Sequence, residues 1–409
     1  MLKNTIQSES NYIKPFKIIF WIIFNLVLIP LVLFLYLIKP ILKIQFLRIR
    51  DERIGHLAVN TDLFLRRLEL GIINKKRTLF VGLASNNPAN KQLLKMFKRK
   101  MIIIQLPKLL NDVILNGIFF SEKSLLVKSG FGMHLPLEWK QYYKFSSRKP
   151  NLEFISSEDK KGKQLFKKIG LTDKDWFICF HARSSLYLKN KFRNRDLSYH
   201  NFRDWDINTA LKAAKYVTSK GGFAIRMGAL VEKKLPKLKN NRIVDYATLY
   251  RSDFGDVYLS AKCKFFLGDG CGIHQVSQIF NVPEAWVNVL SIENPPWSEK
   301  GVFIPKKWWS IEKKRLLTFR EIIDTKIGYA TEIDQYDKAK IRIINNNPEE
   351  ILDLAIEVNE RIDRNWKTTK EDEELQKKYK SLFPKNSPCY GFPSRIGAKF
   401  LRENKKLLS

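Results

Sequence analysis

The chain has 409 residues, 44% of them hydrophobic, and carries 73 Lys and Arg against 41 Asp and Glu, a formal net charge of +32. That hydrophobic content excludes wholesale disorder, and the length allows an anchor plus two domains of ordinary size. The charge favours anionic partners, namely lipid headgroups, phosphates or nucleic acid, without choosing among them. Cys179, Cys263, Cys271 and Cys389 are too few for a disulfide framework, form no C-x-x-C pair and fit a reducing cytoplasm. No His/Cys cluster has zinc-site spacing, so no metal site is expected.

After an N-terminal tail (1–17), Ile18 to Ile38 carries no charge. It is close to the ~20 residues a helix needs to cross a hydrocarbon core. Trp21 and Tyr36 lie near its two ends, where aromatic side chains favour the interface. Lysines and arginines flank it on both sides, more of them after it, which places the body in the cytoplasm by the positive-inside bias. Pro30 and the two basic flanks leave a transmembrane helix and a bent, re-entrant one both open.

The body then alternates. Ile44–Arg50 reads as a strand, Leu57–Leu70 as a helix stopped by Gly71, Thr78–Leu83 and Met101–Leu106 as strands around a helix at Lys91–Arg99. Strand, helix, strand at this spacing predicts a parallel sheet with helical crossovers, a first Rossmann-like domain over 44–150. The helix at 91–100 sets an apolar stripe against a dense basic one, a pattern that suits docking on anionic lipid or an ordinary surface helix. Residues 144–162 read as a polar linker. A second alternating series over 165–360 has strands at Trp176–Phe180, Phe223–Met227, Arg242–Tyr246, Lys264–Leu267 and Ala285–Leu290. Helices fall at Asp206–Ser219, ended by Gly221-Gly222, at Val257–Ala261 and at Ile273–Phe280; another starts at Pro348, capped by Asn347. Residues 361–409 read as a peripheral tail. The fold class is therefore α/β, two Rossmann-like domains preceded by one apolar helix. Sheets of this kind bind nucleotide ligands at the carboxyl ends of their strands.

Four constellations could carry chemistry. Gly268-Asp269-Gly270-Cys271-Gly272-Ile273 joins an apolar strand to a helix, and three glycines in five positions would let backbone amides approach a phosphate; a tight turn without a ligand is the plain alternative. His181-Ala182-Arg183 follows a strand directly, where an arginine can grip phosphate with paired N–H donors or form a surface salt bridge. Arg226, in the apolar run before Gly228, needs an anionic partner, either a phosphate or Asp245. His56, in Arg53-Ile54-Gly55-His56 at the first strand-to-helix turn, could serve as a general base or simply as a turn residue. Asn194-Arg195-Asp196 and Arg203 to Asp206 add loop charges that could close over a ligand, or form solvated surface.

RIGHLAVNTDLFLRR (53–67), FICFHARSSLYLKN (177–190), the following RNRD, AIRMG (224–228), IVDYA (243–247) and DVYLSAKCKFFLGDGCGI (256–273), in this order, resemble a family of bacterial glycosyltransferases associated with surface polysaccharide synthesis. His181-Ala182-Arg183 is also similar to the histidine-x-arginine element of GT-B fucosyltransferases, whose arginine contacts the donor diphosphate. The GDGCGIHQ loop is similar to the donor loop of heptosyltransferases, whose catalytic aspartate follows the first glycine turn; His56 stands at that place here. The resemblance implies the GT-B architecture and a nucleotide-sugar donor held by His181, Arg183, Arg226, Gly228, Asp245 and residues 268–273. It implies catalysis by His56 and Arg183 without a further cofactor or metal. No Glu-x7-Glu motif of retaining GT-B enzymes is evident, which leans to inversion. With the anchor, it implies a lipid-linked glycan acceptor, contact with anionic lipids, and a cytoplasm-facing place on the inner membrane. Two other classes remain: a nucleotide-sugar epimerase on the same fold, and a non-catalytic basic membrane scaffold; a nucleic-acid partner is not expected.

Overall fold

The computed structural model describes residues 13–107, 110, 114, 119–135, 148–191, 198–293, 295–296, 298–325, 327–328, 330, 333–387 and 389–409. The expected charges at 194–196, the start of the expected linker at 144–147 and most of the N-terminal tail lie outside these residues. The chain divides into two compact units, Met1–Leu137 and Glu138–Ser409.

In the first unit the apolar helix runs from Ile13 to Ile38 and is followed by β1 (Lys43–Arg48), the helix Ile54–Glu69, β2 (Thr78–Ala84), the helix Lys91–Lys98, β3 (Ile102–Gln105), a short helix Leu125–Lys128 and β4 (Gly132–His134). The strands pair in parallel in the order β3-β2-β1-β4. Leu47 and Val81 are buried in this sheet. The second helix begins three residues earlier than expected, because Gly55 and His56, poor helix formers, are nevertheless drawn into its first turn. Its end is as expected: Gly71 sits at φ +70° just past the cap, a conformation that costs glycine little. In the basic helix Lys91–Lys98, Leu93, Leu94, Met96 and Phe97 are buried and Asn90 caps the first turn by accepting from the Leu93 N–H at 2.8 Å. Its apolar stripe is thus spent inside the unit, as in an ordinary surface helix.

In the second unit β5 (Phe177–His181), β6 (Phe223–Arg226), β7 (Ile243–Val244), β8 (Phe266–Gly268), β9 (Glu284–Val289), β10 (Gly301–Pro305) and β14 (Arg395–Ile396) form one seven-stranded parallel sheet in the order β14-β10-β9-β8-β5-β6-β7. Ile178, Phe180, Ala224, Ile225, Phe265, Leu267, Ala285 and Val287 have no exposed surface. Such runs are buried on both faces, which is why they read as continuous apolar stretches rather than alternating ones. A small antiparallel sheet of β11 (Lys307–Ser310), β12 (Arg315–Leu316) and β13 (Ile341–Ile344) follows β10. The helix Pro348–Ile362 starts on the expected cap: Asn347 Oδ1 accepts from the Glu350 N–H at 2.8 Å, and Glu350 Oε2 accepts from the Asn347 N–H at 2.9 Å.

Two expectations are corrected. The stretch 144–162 is no linker beyond residue 155, since Ser156–Lys168 is a helix whose Gly162 packs on the Tyr258 ring. Residues 361–409 are no loose tail: β14 extends the large sheet, and Tyr379 and Ile396 are fully buried. Charged residues dominate both stretches because each presents only a narrow apolar face inward. A Cβ at Gly162 would lie 2.0 Å from Tyr258 Cζ. Gly162→Ala should therefore destabilise the protein by about 1–3 kcal/mol, against the gain of about 0.5–1 kcal/mol expected in an uncrowded helix. A lower urea midpoint is the expected result, and a raised one would show that the ring yields.

Candidate functional site

The chain leaves β5 towards β6 and β7, then returns to β8 on the other side of β5 and continues to β9 and β10. This reversal makes the carboxyl ends of β5 and β8 the topological switch point, where open parallel sheets bind ligands. His181 ends β5 and is registered against Gly268 at the end of β8. The two backbones approach so closely that a Cβ at position 268 would lie 2.8 Å from the His181 carbonyl oxygen. His181 Nδ1 is 2.9 Å from the Met227 carbonyl oxygen. A carbonyl only accepts, so Nδ1 carries the proton and Nε2 is left as an acceptor. Burial lowers the pKa of this imidazole and favours its neutral form. Gly228 adopts φ +150°, and a Cβ there would meet Val231 at 2.7 Å.

Around this switch point lies a charge cluster. Arg183 is 8% exposed and forms an ion pair with Asp204. Arg203 donates from Nη2 to the Gly270 carbonyl at 3.1 Å; burial, then the charge of Arg183, lowers its pKa. Lys306, the residue after β10, is 1% exposed and donates from Nζ to the Phe202 carbonyl at 2.7 Å. Burial lowers its pKa to about 8, opposed by Asp269 and aided by Arg203 and Arg183. Asp269 is 4% exposed, and its Oδ1 has no hydrogen-bond partner among the described residues. These five groups, three cationic and two anionic, form a patch of surplus positive charge in which Arg183, Lys306 and Asp269 are buried and Arg203 and Asp204 half-buried, with one acceptor oxygen open among the described residues.

Arg203 and Asp204 correct the reading of this loop as solvated surface: folding carries them beneath Gly270 and against Arg183. Lys306 was not anticipated. The available signal was the apolar run Val302-Phe303-Ile304 ending in Pro305-Lys306, a strand with a cation at its carboxyl end.

Arg226 and Asp245 are brought together as a pair with each other. Arg226 Nη1 donates to Asp245 Oδ1 at 2.9 Å and Nη2 to the Lys233 carbonyl at 2.9 Å, while Asp245 Oδ2 accepts from the Leu235 N–H at 3.1 Å. The pair braces the 227–242 loop across β6 and β7, which is the structural partner weighed for this arginine.

The glycine loop is more tightly packed than a phosphate cradle requires. A Cβ at Gly270 would meet the Trp286 ring at 2.7 Å. The Cys271 N–H turns back to the Asp269 carbonyl at 2.6 Å. Cys271 is buried, which pushes its thiol pKa up, and hydrogen bonds from the backbone of His274 and Ile273 oppose that shift. The helix that follows, His274–Ile279, is only six residues long. His274 stacks on Phe266 at 4.8 Å between ring centroids, and its Nε2 lies 3.2 Å from Glu284 Oε1. Gly268 and Gly270 thus have packing reasons of their own, and the close backbone approach that suggested a ligand here is made to other parts of the protein.

In the first unit, β1 pairs with both β2 and β4, so its carboxyl end is again the place where the sheet order turns. His56 lies in the first turn of the helix that follows it. Its Nδ1 is 3.4 Å from Asn60 Oδ1, and burial, with help from the Arg50 charge, lowers its pKa. The carboxylate of Asp51 in the same turn is occupied: its Oδ2 accepts from the Ser85 N–H at 2.8 Å and the Ser85 hydroxyl at 2.6 Å. Arg48 and Arg50 are half-buried at the same edge, and Arg48 Nε has no hydrogen-bond partner among the described residues.

No family model matches the chain, and no curated protein matches it. Among solved structures it is similar to the Escherichia coli ADP-heptose lipopolysaccharide heptosyltransferase II, at 16% identity and a TM-score of 0.41 over 64% of this chain and 90% of that one. It is also similar to a glycosyl transferase family 9 protein of Veillonella parvula, at 10% identity and a TM-score of 0.42 over 77% of this chain and 96% of that one. A third similar structure is the iron-containing dodecameric glycosyltransferase TibC of enterotoxigenic E. coli, at 10% identity and a TM-score of 0.33 over 64% of this chain and 62% of that one. All three are glycosyltransferases by name.

The Arg226–Asp245 pair generates a separable expectation. Asp245→Ala leaves a buried guanidinium without its carboxylate and should cost about 3–5 kcal/mol of stability. The double variant Arg226→Met/Asp245→Leu should recover most of that loss in chemical denaturation. A double variant no more stable than Asp245→Ala would show that the loop depends on the ion pair itself.

Proposed function

We propose that the protein is a glycosyltransferase whose second unit holds a nucleotide-sugar at the β5–β8 switch point. The cluster of buried Arg183 and Lys306 with half-buried Arg203 around Asp269 carries this reading. Cations kept out of water beside a carboxylate with an open oxygen are costly unless a ligand completes them. A sugar diphosphate supplies both complements: phosphate oxygens for the cations and hydroxyls for Asp269 Oδ1. His181 Nε2 offers a further acceptor beside it. The glycine loop shapes the wall of this site, and Arg226 and Asp245 brace the adjoining loop.

In the reaction, an acceptor hydroxyl gives its proton to a base and attacks the anomeric carbon. The bond from that carbon to the diphosphate oxygen breaks, and the nucleoside diphosphate leaves with the electron pair. The guanidinium and ammonium groups stabilise the charge that develops on it, the electrostatic part of the catalysis, and do so without a metal. We assign the base to His56, because it is neutral near pH 7 while Asp51 is tied to Ser85. Arg48 and Arg50 at the same edge suit an acceptor with its own phosphates, such as a lipid-linked glycan at the cytoplasmic face of the inner membrane. A single displacement of this kind inverts the anomeric centre. The resemblance to polysaccharide-assembling enzymes supports the same class.

An epimerase on this fold would convert its donor with no acceptor present. A panel of nucleotide-sugars, titrated by calorimetry and then incubated without acceptor, separates the readings. The transferase reading expects binding with no epimer formed. Arg203→Ala and Lys306→Met are each expected to weaken donor binding by about 1.5–3 kcal/mol, roughly 10- to 150-fold. Protonated Lys306 attracts the diphosphate, so affinity should fall as pH rises through about 8 and be flat across that range in Lys306→Met. If no nucleotide-sugar binds at micromolar to millimolar concentration, roughly the usual substrate range, the proposal fails.

A further inference from the structure

The apolar helix Ile13–Ile38 does not stand clear of the first unit. Leu28, Val32 and Leu35 are 5%, 4% and 1% exposed and pack against Leu126 and Phe131. Phe24, Leu31 and Ile38 join the same cluster from the helix, and Ile44 and Phe46 join it from β1. Asn25 Oδ1 accepts from the Leu125 N–H at 2.7 Å, pinning the helix to the segment Leu125–Lys128. The helix is therefore held to the body from Phe24 to its end, about 22 Å of its length at 1.5 Å per residue. The part before Phe24 is about 16 Å long, well short of the ~30 Å hydrocarbon core.

The body cannot follow this helix into the hydrocarbon. The segments packed on it carry Lys43, Gln45, Lys123 and Lys128, and β1 belongs to an open sheet, which lipid does not accommodate. The opposite side of the helix is uncovered: Leu26, Val27, Leu33, Phe34 and Leu37 are between 56% and 77% exposed. A contiguous apolar face of this size marks a membrane or protein contact. Its surroundings match a bilayer surface of negative charge. Lys39 at the helix end is exposed with its Nζ 5.4 Å from the Tyr36 ring centroid, and exposed Lys123 and Lys128 flank the segment that Asn25 holds.

We infer that this helix lies along one leaflet instead of crossing the bilayer, with the face through Leu26, Val27, Leu33 and Leu37 in acyl chains and its lysines among anionic headgroups. Lys14 and Lys39, near its two ends, then lie on the same side of the membrane. The inference is independent of the transferase reading, since it uses none of the residues of the donor site.

The test uses the full chain in bacterial membranes. Its four native cysteines are all buried, so single added cysteines report selectively. Lys14→Cys and Lys39→Cys are expected to react with a membrane-impermeant maleimide from one and the same face, compared in spheroplasts and inverted vesicles. Reaction from opposite faces would establish a span and overturn the inference. Separately, Leu26→Lys and Leu33→Lys replace exposed side chains. Each should lower co-flotation with phosphatidylglycerol–phosphatidylethanolamine vesicles on the order of tenfold, with an unchanged thermal midpoint. Undiminished flotation would sink the proposal. So would a solution dimer that these variants dissolve, because a second copy would then be the natural cover of this face.

Discussion

The cost of holding cations away from water organises the second unit. Lys306, Arg183 and Arg203 come from separate parts of the chain, the carboxyl end of β10 and the connection after β5, and converge on Asp269 at the end of β8. Each is partly compensated: Arg183 by Asp204, Arg203 by the Gly270 carbonyl, Lys306 by the Phe202 carbonyl. Those bonds hold the groups in place without cancelling the surplus charge, and burial leaves its mark in the lowered pKa of Lys306. In the proposed reading this cluster is prearranged for the leaving diphosphate, because its donors need not reorganise as charge develops there.

The same sheet supplies both a rigid frame and the crevice. Its strands are apolar on both faces, so helices must cover them and the polar groups are pushed to the strand ends. Where the strand order reverses, between β5 and β8, the connections part and the ends stay open. The glycines nearby serve that geometry first. Gly268 allows His181 and β8 to run backbone to backbone, and Gly270 makes room for Trp286. Close packing of this turn sets where Asp269 stands.

Much of the architecture was legible in the residues. The parallel strands β1–β3 and β5–β9, the helix ends at Gly71 and Gly221, and the Asn347-Pro348 start follow from apolar runs, from glycine's tolerance of positive φ and from side-chain capping, all of which are local, whereas β4 and β10 were not read. His181, Arg183 and the loop 268–273 were placed at strand ends by the same logic. The charged helix Ser156–Lys168 and the last strand, Arg395–Ile396, were not legible, because a short element with a single buried stripe looks like surface in a sequence. The N-terminal helix was visible as an apolar run. That one of its faces belongs to the protein, through Asn25, Leu28, Val32 and Leu35, was not.

The sequence by itself determined that an apolar N-terminal helix precedes two parallel α/β arrangements and that certain charges lie near strand ends, since hydrophobic periodicity and capping act over a few neighbouring residues. Only the tertiary structure decided which charges meet. It turned Arg226 inward to Asp245, brought Lys306 across more than a hundred residues of chain to Phe202, and left Asp269 with an open oxygen. Partner choice among buried charges depends on strand order and on which solvent each group loses, and neither quantity is carried by local spacing.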